Sequence, residues 1–178
     1  IAMGLPIGLA LFGLALGVAS MSLITYLIEI PSWAPQLASM VGAPVGGWLA
    51  DAWRRRSPRG RLAVQTIGVL GGAPFVALCG LTPSVGTVMV ALTFWGLFKG
   101  LYDANIFASV FEVVRPEARG TAAGFMNAFG WLAGGGSAPL VIGIIAQRES
   151  LGLAIALASI VYLVAGALLL VAILFFVK

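Results

Sequence analysis

Long runs of apolar residues alternate with short polar segments along the whole chain. Each run approaches the roughly 20 helical residues that cross a ~30 Å hydrocarbon core. The predicted spans are 5–30, 33–52, 62–81, 86–113, 121–146 and 151–177. Residues 153–176 are apolar on every helical face, whereas strands of a membrane barrel alternate polar and apolar positions. The pattern predicts an all-α membrane protein with six transmembrane helices.

The composition agrees with this assignment and excludes an ordinary soluble domain. Of the 178 residues, 61% are hydrophobic and only 9% are charged. Charged residues cover the surface of a water-soluble domain, so such a chain needs lipid as its solvent. The expected partner of most of its surface is therefore the lipid bilayer.

The few basic residues are distributed unevenly between the two sides of the predicted bundle. Positions 54–61 hold five arginines, and Arg115 and Arg119 lie two spans further along, on the same side. With Lys178 that side has eight basic residues, against Arg148 alone on the other. Because basic loops resist translocation, this asymmetry marks the cytoplasmic face and is not typical of nucleic-acid binding. We expect a multi-pass protein of a bacterial inner membrane with both termini cytoplasmic.

The chain lacks the residues on which most enzymatic chemistry depends. It contains no histidine, and Cys79 is its single cysteine. Histidine-dependent nucleophiles and the usual metal sites are thereby excluded, and no phosphate-binding glycine loop followed by lysine is present. We therefore expect no catalytic residue, no bound metal and no cofactor, and the protein is not predicted to be an enzyme.

Two segments resemble signatures of the major facilitator superfamily. The run 47–51, Gly-Trp-Leu-Ala-Asp, followed by Arg55 and Arg56, is similar to the family's loop between the second and third spans of each half. Ala52 and Arg54 depart from it, since the family has a basic residue and a glycine there. The run 115–124, which begins Arg-Pro-Glu-Ala-Arg-Gly, resembles the entry to the fifth helix.

This resemblance implies a fold and an activity. The family has twelve spans in two six-helix halves, each made of two inverted three-helix repeats, and 178 residues hold one half. We expect the C-terminal half, with a missing N-terminal six-helix half as its partner. The implied function is secondary active transport of a small solute, such as an organic anion or sugar acid, as a symporter coupled to protons or sodium. The alternatives are a non-transporting six-helix subunit or scaffold, and a half-size transporter acting as a homodimer.

Asp51 ends the second span beside the arginine loop. A carboxylate there is placed to accept hydrogen bonds from the free amides at a helix N-terminus. In the family this helix belongs to the other half, so the resemblance implies a cytoplasmic latch that includes Gly47, Asp51, Arg55, Arg56 and Arg119. The alternative is that Asp51 only neutralises the arginine cluster.

The fourth span carries two charged residues near its middle. A charge at this depth costs roughly 2.5–3.5 kcal/mol on insertion scales, so it marks a candidate functional site. Lys99 and Asp103 are four residues apart and share one helical face, with Trp95 a turn earlier and Tyr102 beside them. We expect Lys99 to attract an anionic substrate group and Asp103 to modulate it or carry a proton. The alternative is a self-neutralised structural pair.

Other polar residues are weaker candidates for substrate contact. Asn127 and Trp131 share a face of the fifth span, and Tyr26 lies near the outer end of the first. Asn105 is expected to meet a neighbouring helix. For each candidate, helix-to-helix hydrogen bonding or anchoring at the membrane interface is an equal alternative.

Small residues and prolines give two further expectations. Glycines at 120, 124, 130 and 134 have the four-residue spacing that permits close helix packing. Between Glu29 and Asp51 the chain is short for a loop plus a full span, and prolines interrupt it. This predicts a deletion, a short tilted span or residues missing from the chain.

Overall fold

The computed structural model describes residues 33–135 and 137–175 of the chain. The predicted first span, 5–30, and its candidate Tyr26 lie outside these residues. Within the described ranges every regular element is helical, which confirms the all-α fold class.

The described helices correspond to the second to sixth predicted spans. They are α1 (Trp33–Arg54), α2 (Gly60–Leu81), α3 (Val85–Val113), a 3₁₀ turn (Pro116–Ala118), α4 (Arg119–Phe129), a π-helical segment (Gly130–Gly135), α5 (Ser137–Arg148) and α6 (Leu151–Phe175). Four segments are long and apolar enough to cross a membrane: Gly60–Leu81, Val85–Val113, Pro116–Arg148 and Leu151–Phe175. The described residues establish a membrane-helix fold, and the total of six spans stays a prediction.

The second predicted span forms a continuous helix and is not shortened, whereas a deletion or residues missing from the chain stay predictions. Helix α1 has 22 residues, and at 1.5 Å per residue it is about 33 Å long. Pro35 lies in its first turn, where no backbone donor is required, and Pro44 is accommodated inside it.

Helix α3 is at the centre of the described bundle. It packs extensively against α1 on one side and α2 on another, and α2 packs in turn against α6. The buried core lies mainly among α2, α3 and α6 and includes Val69, Leu92, Trp95, Tyr162 and Leu169. The fifth span, from α4 to α5, contacts the other described helices more lightly.

Four glycines allow α1 and α3 to cross with their backbones in contact. A Cβ on Gly46 would lie 2.6 Å from Leu101 Cα, and one on Gly96 would lie 2.7 Å from Pro35 Cα. Gly42 and Gly100 are equally tight against the facing backbone. Each helix therefore presents a small-xxx-small pair to the other, the arrangement that permits close packing in membranes.

Two of the glycines expected to pack closely in the fifth span do not do so among the described residues. A Cβ on Gly120 or Gly124 would meet no heavy atom within 4 Å. The four-residue spacing accompanies close packing in α1 and α3 but not at Gly120 and Gly124, and the pair at 130 and 134 stays a prediction. Spacing alone does not say whether a second helix faces the glycines.

Candidate functional site

The Lys99 and Asp103 side chains form an ion pair along α3. The Lys99 ammonium donates to Asp103 Oδ2, and the two side chains are 18% and 38% exposed. The spacing of four residues on one helix brings them together, as the sequence predicts. The pair is thus partly sheltered but open on one side.

The pair occupies the part of α3 that its two main neighbours leave free. Gly96 and Gly100 face α1, and Tyr102 and Asn105 are buried in contact with α2 or α1. Both charged side chains keep intermediate exposure while these four residues are buried. A ligand approaching this arc of α3 would meet one cation and one carboxylate.

Tyr102 and Trp95 lie in the helix interface rather than beside the exposed pair. Trp95 Nε1 donates to the Tyr162 hydroxyl at 2.9 Å, which joins α3 to α6. The Tyr102 hydroxyl is buried and has no hydrogen-bond partner within the described part of the chain. Trp95 is therefore buried against α6 and does not line an open surface with Lys99.

Asn127 and Trp131 are exposed on the fifth span. Asn127 lies in α4 and Trp131 in the π-helical segment, where its side chain is 75% exposed. Their role in binding stays a prediction.

A buried hydrogen-bond cluster joins α3 to both of its neighbours. The Gln65 side-chain amide donates to Asn105 O at 2.7 Å and to Ser109 Oγ at 2.6 Å. Asn105 Nδ2 donates to Gly46 O of α1 at 3.1 Å and to Leu101 O at 3.0 Å. The expectation that Asn105 meets a neighbouring helix is confirmed.

A second polar cluster closes one end of α1, α2 and α3. Arg61 contacts Asp51 Oδ1 at 2.7 Å and Glu112 Oε1 at 2.6 Å, and Arg54 Nε contacts the same Glu112 oxygen at 3.0 Å. The Arg61–Glu112 contact is a charge contact and not an aligned hydrogen bond. This network binds the three helix ends together.

The other predicted latch residues have separate environments. Arg119 donates to Phe111 O at 3.2 Å and lies over the Phe111 ring, so it caps the end of α3. Arg55 and Arg56 are exposed and form no ion pair with the described residues. A Cβ on Gly47 would meet nothing within 4 Å, in contrast to its neighbour Gly46.

Three members of these clusters were not predicted as site residues from the sequence: Arg61, Glu112 and Gln65. Glu112 is an acid at the end of an apolar span, opposite a loop rich in arginine, and that position was a usable signal. Gln65 had a weaker signal, a polar amide inside an apolar run.

The two ends of the described bundle differ in charge, as the distribution of basic residues among the loops predicts. The contacts of Glu112 with Arg54 and of Arg119 with Phe111 place the arginine-rich segments together at one end. At the other end Gly80 packs against the backbone of Gly152, close to Arg148 and Glu149.

Comparisons with known proteins give consistent matches. The family model described as Major Facilitator Superfamily matches residues 5–178. Protein spinster homolog 1 of Mus musculus is 31% identical over 115 residues, which are 63% of this chain and 22% of that relative. Protein spinster homolog 1 of Bos taurus has the same identity and coverage. The chain thus spans about a fifth of the length of these relatives.

Proposed function

The chain belongs to the major facilitator superfamily, and from this membership we propose that it forms one bundle of a transporter for a small organic anion. The observation that carries the proposal is the partly exposed Lys99–Asp103 pair within a membrane-spanning helix. Charged residues inside membrane spans are costly, and they commonly mark substrate or ion pathways.

Lys99 is the group that would select an anion. At rest its ammonium is bonded to Asp103, and a substrate carboxylate offers the same kind of oxygen acceptor. The attraction between the charges strengthens as the effective dielectric falls, so a sheltered ammonium favours an anion more than an exposed one does. When the substrate engages Lys99, Asp103 becomes free to modulate binding or to take up a coupling proton. Sodium coupling is the alternative for symport.

A second bundle is required for alternating access. In this mechanism two bundles rock about a shared site near the middle of the membrane. We propose that this chain, with its six spans in two inverted repeats, supplies the C-terminal half and that an N-terminal half supplies the other. We place the protein in a bacterial inner membrane with both termini cytoplasmic.

Asp51 is proposed to act in the latch between the two halves. Its side chain is 59% exposed, and one of its oxygens accepts from Arg61. The remaining acceptor positions are free to bind amides at the N-terminus of a helix in the other half. The contact with Arg61 also fits the alternative that Asp51 only neutralises the arginine cluster, and the Asp51→Asn variant distinguishes the two roles.

The anion site is tested by substitution in the complete transporter reconstituted in vesicles. Lys99→Gln keeps a polar side chain, one atom shorter, and removes its charge. We expect the affinity for acids to fall more than about tenfold relative to neutral analogues of the same shape. The matched control is Arg148→Gln, which removes a cation at a helix end outside the pair.

The same assay identifies a purely structural pair. If saturable transport of acids survives when Lys99→Gln and Asp103→Asn are made together, the pair does not bind substrate and the proposal is wrong. Saturable uptake by this chain alone would contradict the requirement for a second half.

A further inference from the structure

Hydrophobicity does not fix the rotation of α3 about its own axis. Its apolar residues are spread around all faces, so no apolar stripe distinguishes one side. Lipid tails are as apolar as leucine, and burial of such side chains between helices gains little over exposure to lipid. Close packing and polar contacts must therefore determine which face of α3 meets its neighbours.

The buried hydrogen bonds supply polar contacts of this kind. Gln65, 2% exposed, reaches from α2 to two acceptors on α3, while Asn105, fully buried, reaches from α3 to the backbone of α1. These bonds hold α3 from two directions. They continue the contact that the glycine crossing begins one turn earlier.

The face of α3 that bears Asn105 lies away from the charged pair. At 100° per residue, Asn105 is roughly 120° from Lys99 and roughly 160° from Asp103 around the helix. A rotation of α3 that breaks the Asn105 contact with Gly46 would therefore turn the charged pair toward a neighbouring helix. The two features are linked through the rigid helix between them.

We propose that Gln65 and Asn105 are positioning residues that set the rotation of α3 and so present Lys99 and Asp103 to the substrate. The presentation to substrate rests on the proposed function, whereas the rotation does not. Ser109 contributes as the second acceptor of the Gln65 amide. Gln65 and Asn105 act through the helix and do not themselves touch the substrate.

Thiol labelling tests the rotation directly. In the complete transporter with its cysteines removed, including Cys79→Ala, single cysteines are placed by Val110→Cys or Leu101→Cys and labelled with N-ethylmaleimide. Val110 lies seven residues from Asp103 on the same face and is half-buried, whereas Leu101 is packed on Gly46. In the parent protein we expect the first cysteine to react faster than the second.

Removal of the Gln65 hydrogen bonds should reduce the difference between the two labelling rates in proportion to the number of bonds lost. We expect the ratio of the two labelling rates to fall about threefold for each interhelical hydrogen bond removed. Ser109→Ala removes one such bond and Gln65→Leu removes two, so the milder variant remains informative if the other folds poorly. The matched control is Thr66→Val, because the buried Thr66 hydroxyl donates only within α2, to Leu62 O.

The outcomes separate this proposal from the proposed function. An unchanged ratio in folded Ser109→Ala and Gln65→Leu, or an equal fall in Thr66→Val, overturns the positioning role. A lowered ratio with a raised KM for acids and an unchanged KM for neutral analogues is the expected result. A lowered ratio with unchanged transport of acids would instead refute Lys99 as the substrate site.

Discussion

Gly100→Ala tests one of the close backbone contacts between α1 and α3. The new Cβ would lie 2.8 Å from Ala43 N and 2.9 Å from Gly42 C, with Ser39 O closer still. Ordinary contacts of a Cβ begin at 3.4 Å, so the facing backbone must retreat by about 0.6 Å or more. These neighbouring atoms belong to the backbone of a packed helix, so they cannot move aside by a change of rotamer.

Two opposing effects set the size of the change. Overpacking costs about 1–3 kcal/mol, whereas exchange of glycine for alanine inside a helix gains about 0.5–1 kcal/mol. The net expectation for Gly100→Ala is a loss of about 1–2 kcal/mol in the free energy of unfolding. Gly124→Ala, in open surroundings, keeps only the favourable term and should stabilise the protein by about 0.5–1 kcal/mol.

The assay is unfolding of the purified protein in mixed detergent micelles, with helix content followed by circular dichroism as the denaturing detergent increases. The two variants should shift the midpoint in opposite directions. Shifts of the same sign, or a stabilising effect of Gly100→Ala, would show that α1 and α3 do not cross at these glycines.

Three further predictions use the other contacts. Asp51→Asn should slow transport about fivefold, because a carboxylate at a helix N-terminus contributes up to ~1 kcal/mol. Substrate binding should stay nearly unchanged, and a variant with normal turnover would exclude the latch role. Glu112→Gln leaves Arg54 and Arg61 without their shared partner and should lower the free energy of unfolding by about 1 kcal/mol at low salt. Because salt screens exposed charges, the loss should be smaller at high salt, and unfolding in micelles at two salt concentrations measures the difference. Trp95→Phe and Tyr162→Phe should each cost about 0.6 kcal/mol and together little more, and additive costs in the double variant would argue against their hydrogen bond.

The local features of the fold followed from the sequence. Apolar runs gave the positions of the described helices to within a few residues, because the hydrocarbon core imposes a minimum helix length. The Lys99–Asp103 pair was also predictable, since residues four apart on a helix are neighbours in any tertiary arrangement. Arginines on two separate loops were correctly assigned to one end of the bundle.

Contacts between distant helices were not predictable in the same way. The sequence placed close packing at Gly120 and Gly124, whereas the structure places it at glycines of α1 and α3. It also did not indicate that the Trp95 indole bonds to Tyr162, 67 residues away. Each error concerns which face of a helix meets which neighbour.

By itself the sequence determined that the chain is helical, that it needs a membrane, and which charges lie at which end. Only the tertiary structure decided that Gln65 reaches Asn105, 40 residues away, and that Glu112 serves both Arg54 and Arg61. The physical reason is that span length and charge placement are set by the solvent around each segment. Helix rotation is set by a few polar bonds and glycine contacts, because apolar side chains gain nearly as much from lipid as from one another.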